Sequence, residues 1–382
     1  MSEGWRKSLA RWADAGLVDA ATAARIRAFE EARGAGASQG RLALLVFGFG
    51  GLLLVAGILL FVAAHWDTLS SVARFALVLA MVVVLHAGGA VAATRSDALP
   101  ATLHAAGTGA LGAGIFLAGQ IFHMAEHWPG ALMLWSLGAA AGVWVLRQWP
   151  QVLWLALLAP AWLCGEWIEQ QGERLWGWNE LTPMAVGVVL LACAYLIAKG
   201  PERGEIWRRV LAWLGAIALI PAAIALAAGS DGYPPRPDDN PQGVTGAATV
   251  VAWALAIAVP LAVAGFARGR DAAWMLAAVA WALVLSQLSM RTDGGELATY
   301  ALLAAGAVGV VAWGLRDRQR LAINVGVLGF ALTVCCFYFA NIFDKLGRSL
   351  GLIGLGILFI GGGWWLERTR RRLVARATGG PR

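Results

Sequence analysis

Three residues able to bind a metal stand close together in the first half of the chain, in the order His123-Met-Ala-Glu126-His127. Residues four apart lie on one face of a helix, so His123 and His127 could both reach one ion. Imidazole and carboxylate groups are zinc ligands, and this order matches the inverted zinc-protease pattern. In such a site the glutamate activates a metal-bound water. The motif therefore raises the hypothesis of a metal-dependent enzyme that uses His123, Glu126 and His127 with zinc as its cofactor.

The surroundings of the motif argue against this hypothesis. Trp128 and Pro129 follow at once, which places the motif at the end of an apolar run and not within a long helix. No further acidic ligand stands at a matching spacing, and a histidine that hydrogen-bonds at a helix end explains the pattern as well. We therefore predict no cofactor and favour a role that is not enzymatic, with zinc kept as the alternative.

Two other histidines, His86 and His104, lie inside long apolar runs. A polar side chain in hydrocarbon must find a partner or line water, so each is a candidate functional residue within the membrane. The alternative is a histidine that simply bonds a neighbouring carbonyl or hydroxyl group. No Asp, Glu, Lys or Arg stands near the middle of any apolar run, which disfavours a carrier driven by protons or sodium ions.

The elements that must position these residues are apolar segments. Of the 382 residues 59% are hydrophobic and 14% are charged, a composition outside the range of soluble proteins. Runs of roughly 20 apolar residues can cross about 30 Å of hydrocarbon. We predict an all-α fold, a polytopic integral membrane bundle of about 12 transmembrane helices. The predicted spans are 41–64, 72–94, 99–122, 129–147, 151–168, 181–198, 209–228, 244–267, 272–289, 297–315, 321–340 and 349–366.

The basic residues alternate with these spans. If the spans are numbered in order, 24 of the 30 Lys and Arg residues fall on one side. Because such residues are retained in the cytoplasm, we predict a bacterial inner-membrane protein with both termini cytoplasmic. The net charge of +7 then reflects topology and attraction to anionic lipid heads at the cytoplasmic face, and we predict no binding to nucleic acid. The sequence does not indicate an oligomeric state.

Residues 1–40 and 367–382 flank the predicted transmembrane bundle, 41–366. Leu9 and Trp12 recur at helical spacing, and Asp19 can cap a second helix, so residues 1–40 are predicted to be a cytosolic helical pair with a linker. Two short helices bury little surface alone, which suggests packing on the bundle or on a cytosolic partner protein. Residues 367–382 form a basic cytosolic tail.

Several polar residues are predicted to leave the spans on the outer side and to form a polar vestibule. They are His65, Asp67, Gln120, His123, Asn341 and Asp344. On this basis we favour a transporter or flippase-like protein for a neutral or lipid-like solute. Two alternatives remain: a membrane scaffold or sensor that uses residues 1–40, and the outer-face metal-dependent enzyme.

Four segments are similar to a known family. They are GLVDAATAARIRAF at 16–29, FVAAHWDTLSSVA at 61–73, GQIFH at 119–123, and the closing stretch from Ile323 to GGGWWLER at 361–368. With these segments the chain resembles bacterial predicted membrane proteins of domain-of-unknown-function family 2157, over about residues 3–160 and 300–375. It departs from them at His65, where an asparagine is expected. The resemblance implies a helical membrane fold and no particular activity.

Overall fold

The computed structural model describes residues 3–29, 70–94, 98–122, 127–171, 178–198, 206–229, 246–288 and 295–341, and single positions within 46–60 and 356–368. These residues are helical apart from short connections, and they contain no strand. The predicted all-α fold is therefore confirmed. The predicted first and last spans, 41–64 and 349–366, the linker and the basic tail fall largely outside the described residues.

The first two helices are short. Helix α1 covers Glu3–Asp14, and Gly16 closes it with a φ of +68° while the Leu17 N–H donates to the Trp12 carbonyl at 2.9 Å. Helix α2 covers 20–29. Its cap is Asp19, whose carboxylate accepts from the Thr22 N–H at 3.4 Å. Hydrogen bonding from Thr22 also lowers the pKa of Asp19.

Ten helices follow in the apolar part of the described chain. Eight of them are long and apolar enough to cross a membrane, and two more contain shorter apolar stretches, at Leu181–Ile197 and Asp271–Gln287. The count of twelve spans stays a prediction. The helices are α3 (Ser71–Ala92), α4 (Ala98–Phe122), α5 (Trp128–Leu146), α6 (Trp149–Gln171), α7 (Trp178–Ile197), α8 (Ile206–Ala228), α9 (Gly246–Arg268), α10 (Met275–Gln287), α11 (Gly295–Arg316) and α12 (Arg320–Asn341).

One segment differs from the regular helix expected at 272–289. A 3₁₀ helix, Gly269–Trp274, precedes α10, which itself has 13 residues. A 3₁₀ helix rises about 2.0 Å per residue and an α-helix 1.5 Å. The two together therefore extend about 31 Å, so the segment still approaches the thickness of the hydrocarbon core.

The described helices form two compact units. The first unit comprises residues 1–126 and 137–151, and the second comprises 127–136 and 152–382. In the first unit α3 packs along α4 around the buried residues Val78, Met81, Leu85 and Ala110. The hydroxyl of Ser70 caps α3 by accepting from the Ala73 N–H at 3.3 Å.

The second unit has the larger core. Helix α7 packs on both α8 and α9, and α11 packs along α12. Buried residues from six helices, α7 to α12, meet there, among them Leu190, Leu226, Met275 and Leu303. Gly215 lets α8 approach α7 closely, because a Cβ at this position would collide with backbone atoms of α7.

Helices α5 and α6 are joined by only two residues. Arg147 adopts a φ of +51° and donates from its N–H to the Val143 carbonyl at 3.1 Å, which ends α5. Helix α6 starts at Trp149, within a residue of the break expected between the fourth and fifth spans. It continues to Gln171, so its last turn carries Glu169 beyond the predicted end at 168.

Candidate functional site

The first candidate site is a pair of histidines within the α3–α4 hairpin. Nδ1 of His86 lies 3.0 Å from Nδ1 of His104, a hydrogen-bond distance, and the two ring centroids are 5.3 Å apart. His104 is buried, with 4% of its surface exposed, whereas His86 is half-buried. The two intramembrane histidines singled out from the sequence are therefore in direct contact.

Each histidine ring occupies the space above a glycine of the other helix. A Cβ added at Gly107 on α4 would lie 2.8 Å from the His86 ring, and one at Gly89 on α3 would lie 2.7 Å from the His104 ring. The missing Cβ atoms create the two recesses that hold the imidazoles. Glycine thus positions the pair by allowing both rings between closely packed helices.

A buried amide holds one side of this pair. Gln151 is fully buried at the start of α6, and its Nε2 donates to the backbone carbonyl of His104 at 3.2 Å. The Thr108 hydroxyl donates to Gln151 Oε1 at 2.8 Å and also lies 3.1 Å from the His104 carbonyl. A Cβ at Gly142 would contact the same amide. The first unit therefore contains a neutral polar network that reaches from the histidines to α6.

The second candidate site is an apolar cleft within the second unit. It has a volume of about 450 Å³ and is bordered by α7, α8, α10, α11 and α12. Its walls are almost entirely apolar, with Tyr300, Thr333, Cys193 and Cys336 among the few lining residues that carry a polar or sulfur atom. The Thr333 hydroxyl donates to the Gly329 carbonyl of its own helix at 2.8 Å. The cleft thus suits an apolar occupant.

Two tryptophans that line the cleft have arginine side chains over their rings. Trp274 and Trp313 line the cleft and meet edge to face with centroids 5.9 Å apart. The Arg316 guanidinium lies 5.4 Å from the Trp274 centroid, and that of Arg268 lies 5.5 Å from the Trp313 centroid. Arg268 also donates to the carboxylate of Asp317, and both side chains of this ion pair are buried. Arg316 lies 3.7 Å from Asp271, so the apolar cleft ends at a cluster of paired charges.

The histidine motif of the sequence has a different partner from the one expected. His127 Nε2 lies 3.0 and 3.1 Å from the two carboxylate oxygens of Glu166, and Trp162 Nε1 donates to that carboxylate at 2.8 Å. His127 is largely exposed, with 57% of its side chain accessible. The described residues contain no group of three potential metal ligands, while His123 and Glu126 lie outside them.

Most of the predicted vestibule cannot be placed. Gln120 is exposed on the last turn of α4. Asn341 ends α12, with its side chain outside the described set, and the other four residues also lie outside it. Those four are His65, Asp67, His123 and Asp344. The vestibule therefore stays a prediction.

Sequence reasoning missed the pairing of the histidines and the role of Gln151. A signal for the pairing was present. His86 stands six positions before Ala92, the end of α3, and His104 stands six positions after Ala98, the start of α4. Equal distances from the turn place both rings at the same level of a hairpin. Gln151 follows a tight turn near the start of an apolar run, and nothing in its spacing distinguishes it from a surface amide.

Comparison with known proteins gives a family over part of the chain. No curated protein and no solved structure matches the sequence. The N-terminal part, which includes α3, α4 and α5, matches a family model, and the eight span-length helices agree with that family's description. The resemblance over about 300–375 stays a prediction. Residues 10–152 match the family described as predicted membrane protein (DUF2157), which confirms the resemblance over this part and marks the chain as a multi-pass membrane protein.

Proposed function

We propose that this protein is a transporter or flippase-like protein for a neutral or lipid-like molecule, and that the cleft of the second unit holds the apolar part of that molecule. The observation that supports the proposal is the cleft of about 450 Å³ among membrane-spanning helices, with almost wholly apolar walls. Small-molecule sites are typically concave, apolar and of this size.

The expected occupant is an acyl chain. Lipid tails are as apolar as the leucines of the wall, so an acyl chain gains little from the hydrophobic effect when it leaves the bilayer for the cleft. An empty cleft, however, loses the dispersion contacts of every atom that lines it. Because Ile224 and Leu332 on the lining are about two-fifths exposed, the cleft opens at the surface of the unit, where lipid chains can enter.

The lining of the cleft is somewhat longer than one leaflet is thick. On α11 the lining runs from Tyr300 to Trp313, which corresponds to about 20 Å along a helix. Half of the hydrocarbon core is about 15 Å thick. An acyl chain lying in the cleft would bring its headgroup close to the paired charges at this end, where the half-exposed Arg316 beside Asp271 would offer its guanidinium to an anionic or zwitterionic phosphate.

The occupant can be tested by photo-crosslinking in lipid nanodiscs, with a phosphatidylglycerol that carries a diazirine on its acyl chain. Crosslinks are expected to concentrate on the peptides of α8, α11 and α12 that line the cleft. Gly309 lines the cleft and has open space around it, so Gly309→Phe fills the cleft without a backbone clash. This variant is expected to lose most of the cleft crosslinks. A loss of 1.4 kcal/mol in the free energy of lipid binding would reduce them about tenfold.

Gly265→Phe is the matched control. Gly265 on α9 also has open space around it but does not line the cleft, so the crosslink pattern is expected to stay unchanged. Crosslinks spread evenly over all apolar helices, with no effect of Gly309→Phe, would show that the cleft holds no lipid. Crosslinks between the cleft and residues 349–366 would show instead that the chain's own last predicted span fills it.

Movement of lipid can be measured in proteoliposomes with a fluorescent headgroup-labelled lipid and a membrane-impermeant quencher. A flippase-like protein makes the label of the inner leaflet accessible, and Gly309→Phe is expected to slow this step relative to Gly265→Phe. If the unmodified protein binds lipid in the cleft but leaves the leaflets separate, the cleft is a fixed lipid site and the transporter proposal is wrong.

The location in the membrane is a separate proposal. The bias of Lys and Arg towards one side supports a bacterial inner-membrane protein with both termini in the cytoplasm. Alkaline phosphatase fused after Gly229 is expected to be active, because only the outer side allows this enzyme to fold, and a fusion after Arg318 is expected to be inactive. The reverse pattern would invert the topology.

A scaffold role for the first 40 residues is the second candidate. Leu9 and Ala23 are buried in the helical pair, but Trp12, Leu17 and Phe29 are exposed, with 47%, 74% and 63% of their surfaces accessible. Exposed apolar residues grouped on a small module are typical of a docking surface for another protein. Deletion of residues 1–38 should then abolish function while lipid crosslinking in the cleft persists. Full function after the deletion would contradict a scaffold role.

A further inference from the structure

We propose that His86 and His104 form an intramembrane site for a single exchangeable proton, and that the proton can pass between the two rings. The inference begins with the 3.0 Å distance between the two Nδ1 atoms. At this distance one nitrogen must carry a hydrogen and the other must offer its lone pair, because two N–H groups or two lone pairs would repel. The contact therefore requires unlike tautomers.

The neutral pair has a defined arrangement of protons. The donor ring carries its hydrogen on Nδ1 and has a free lone pair on Nε2. The acceptor ring has its lone pair on Nδ1 and carries its hydrogen on Nε2. An additional proton can bind only at the free Nε2 of the donor ring. The result is an imidazolium that still donates to a neutral imidazole, so the Nδ1 contact persists.

A second additional proton does not fit the contact. It would have to occupy the Nδ1 that accepts the hydrogen bond, which would place two N–H groups and two positive charges against each other at 3.0 Å. The pair therefore binds one proton in this geometry, whereas two separate histidines would bind two. His86 is the more accessible ring and His104 is buried, so uptake is expected at His86.

Transfer through the pair exchanges the roles of the rings. When the imidazolium of His86 passes its Nδ1 hydrogen to His104, the N–H bond of one ring breaks and that of the other forms. His104 can then release its own Nε2 hydrogen, so one proton has entered and one has left. Afterwards His104 is the donor and His86 the acceptor, and the next proton must come from the opposite direction unless a ring turns over.

The helices around the two histidine rings carry few charged residues that could share the proton. Helices α4 and α5 contain no charged residue, and the only one on α3 is Arg74, twelve positions and about 18 Å from His86. The turn before Gln151 carries Arg147. Within the described hairpin each ring lies over a glycine of the other helix, and the His104 carbonyl is held by Gln151 and Thr108. No described carboxylate neutralises a charged pair, so the charge is shared between the imidazoles.

The proposal can be tested by NMR on the full chain with ¹⁵N-labelled histidine in nanodiscs. A scalar coupling between two ring nitrogens through the N–H···N bond is expected, and it should vanish in His86→Gln and in His104→Gln. On acidification one of the two rings should become doubly protonated while the coupling remains. Absence of the coupling in the unmodified protein would overturn the proposal.

Glycine variants separate the proton site from a purely structural contact without removing a histidine. In Gly107→Ala the new methyl group displaces the His86 ring, whereas Gly119→Ala on the same helix has open space around it. Alanine favours helix, so both variants are expected to fold. On acidification in the same NMR experiment, Gly107→Ala should lose the coupling and bind two additional protons, and Gly119→Ala should bind one. Uptake of one proton by both variants would show that the pair does not limit the number.

Discussion

The two units use glycine differently. In the first unit, Gly107 faces a side chain, the ring of His86, and the other described glycines that meet a neighbour there also meet side chains. In the second unit some glycines also meet side chains, such as Gly306 beside Trp281, but a Cβ at Gly215 would collide with the backbone of α7. Three more glycines of this unit meet backbone atoms: Gly187, Gly314 and Gly326. A side chain can change its rotamer at a cost of about 1 kcal/mol, whereas two packed backbones cannot move apart locally.

This difference matches the two candidate sites. The first unit contains a neutral polar network whose members can rearrange within their recesses, as an exchange of protons requires. The second unit holds its cleft between helices that are in backbone contact, so the shape of the cleft is fixed by the fold. One of its buried polar contacts is an ion pair, between Arg268 and Asp317. Four changes would break or sharpen this comparison.

The largest effect is expected from Asp317→Leu in the second unit. The change leaves the buried Arg268 guanidinium with only the exposed carboxylate of Asp271, 3.9 Å away. Removal of one partner of a buried ion pair typically costs about 3–5 kcal/mol. The double variant Arg268→Leu/Asp317→Leu should recover most of this loss, because it buries no unpaired charge. Unfolding in mixed micelles of increasing SDS content measures both. Equal stability of the single and double variants would mean that the two charges are solvated separately.

The second effect is expected from Gly215→Ala. Since the methyl group would meet backbone atoms of α7, helices α7 and α8 must separate, at a cost of about 3 kcal/mol. Gly265→Ala on α9 meets no atom and should raise stability by up to about 1 kcal/mol. The same SDS titration tests the pair. A well-tolerated Gly215→Ala would show that the second unit adapts as readily as the first.

A smaller loss is expected from Gln151→Leu in the first unit. This variant removes the donor to the His104 carbonyl and the acceptor of the Thr108 hydroxyl, for a loss of about 1 kcal/mol. Thr108 can still donate to the His104 carbonyl, so the helix remains satisfied. Thermal unfolding in nanodiscs measures the change. A loss of stability as large as that of Asp317→Leu would show that the neutral network is as rigid as the ion pair.

The smallest effect is expected from Gly138→Ala. The new methyl group would meet only a terminal methyl of Leu111, which can rotate away for under about 1 kcal/mol. Because alanine also favours helix, the net change should be near zero. Thermal unfolding of Gly138→Ala and Gly215→Ala, measured together, compares a side-chain contact with a backbone contact directly. Unfolding of both variants would remove the distinction between the two units.

Hydropathy was sufficient to predict the long helices but not what they enclose. Each of the helices from α3 to α12 lies at a predicted span, because a run of apolar residues reports its own length. The 3₁₀ start before α10 was missed, since Gly269–Trp274 has no pattern that sets it apart. The cleft could not be predicted, because it depends on which helices are neighbours, and a single sequence does not contain that information.

One hydrogen bond of the second unit has a consequence for biosynthesis. The side chain of Gln319 donates to the carbonyl of Leu196 at 3.0 Å, a buried contact between residues 123 positions apart. Leu196 lies in the last turn of α7, where carbonyl groups have no partner within the helix. At a translation rate of 5–20 residues per second, Gln319 is synthesised on the order of ten seconds after Leu196. The last turn of α7 therefore gains this hydrogen bond only after the turn that contains Gln319 has been synthesised. Nascent chains arrested before α12 should retain an incompletely folded α7 that is open to membrane proteases.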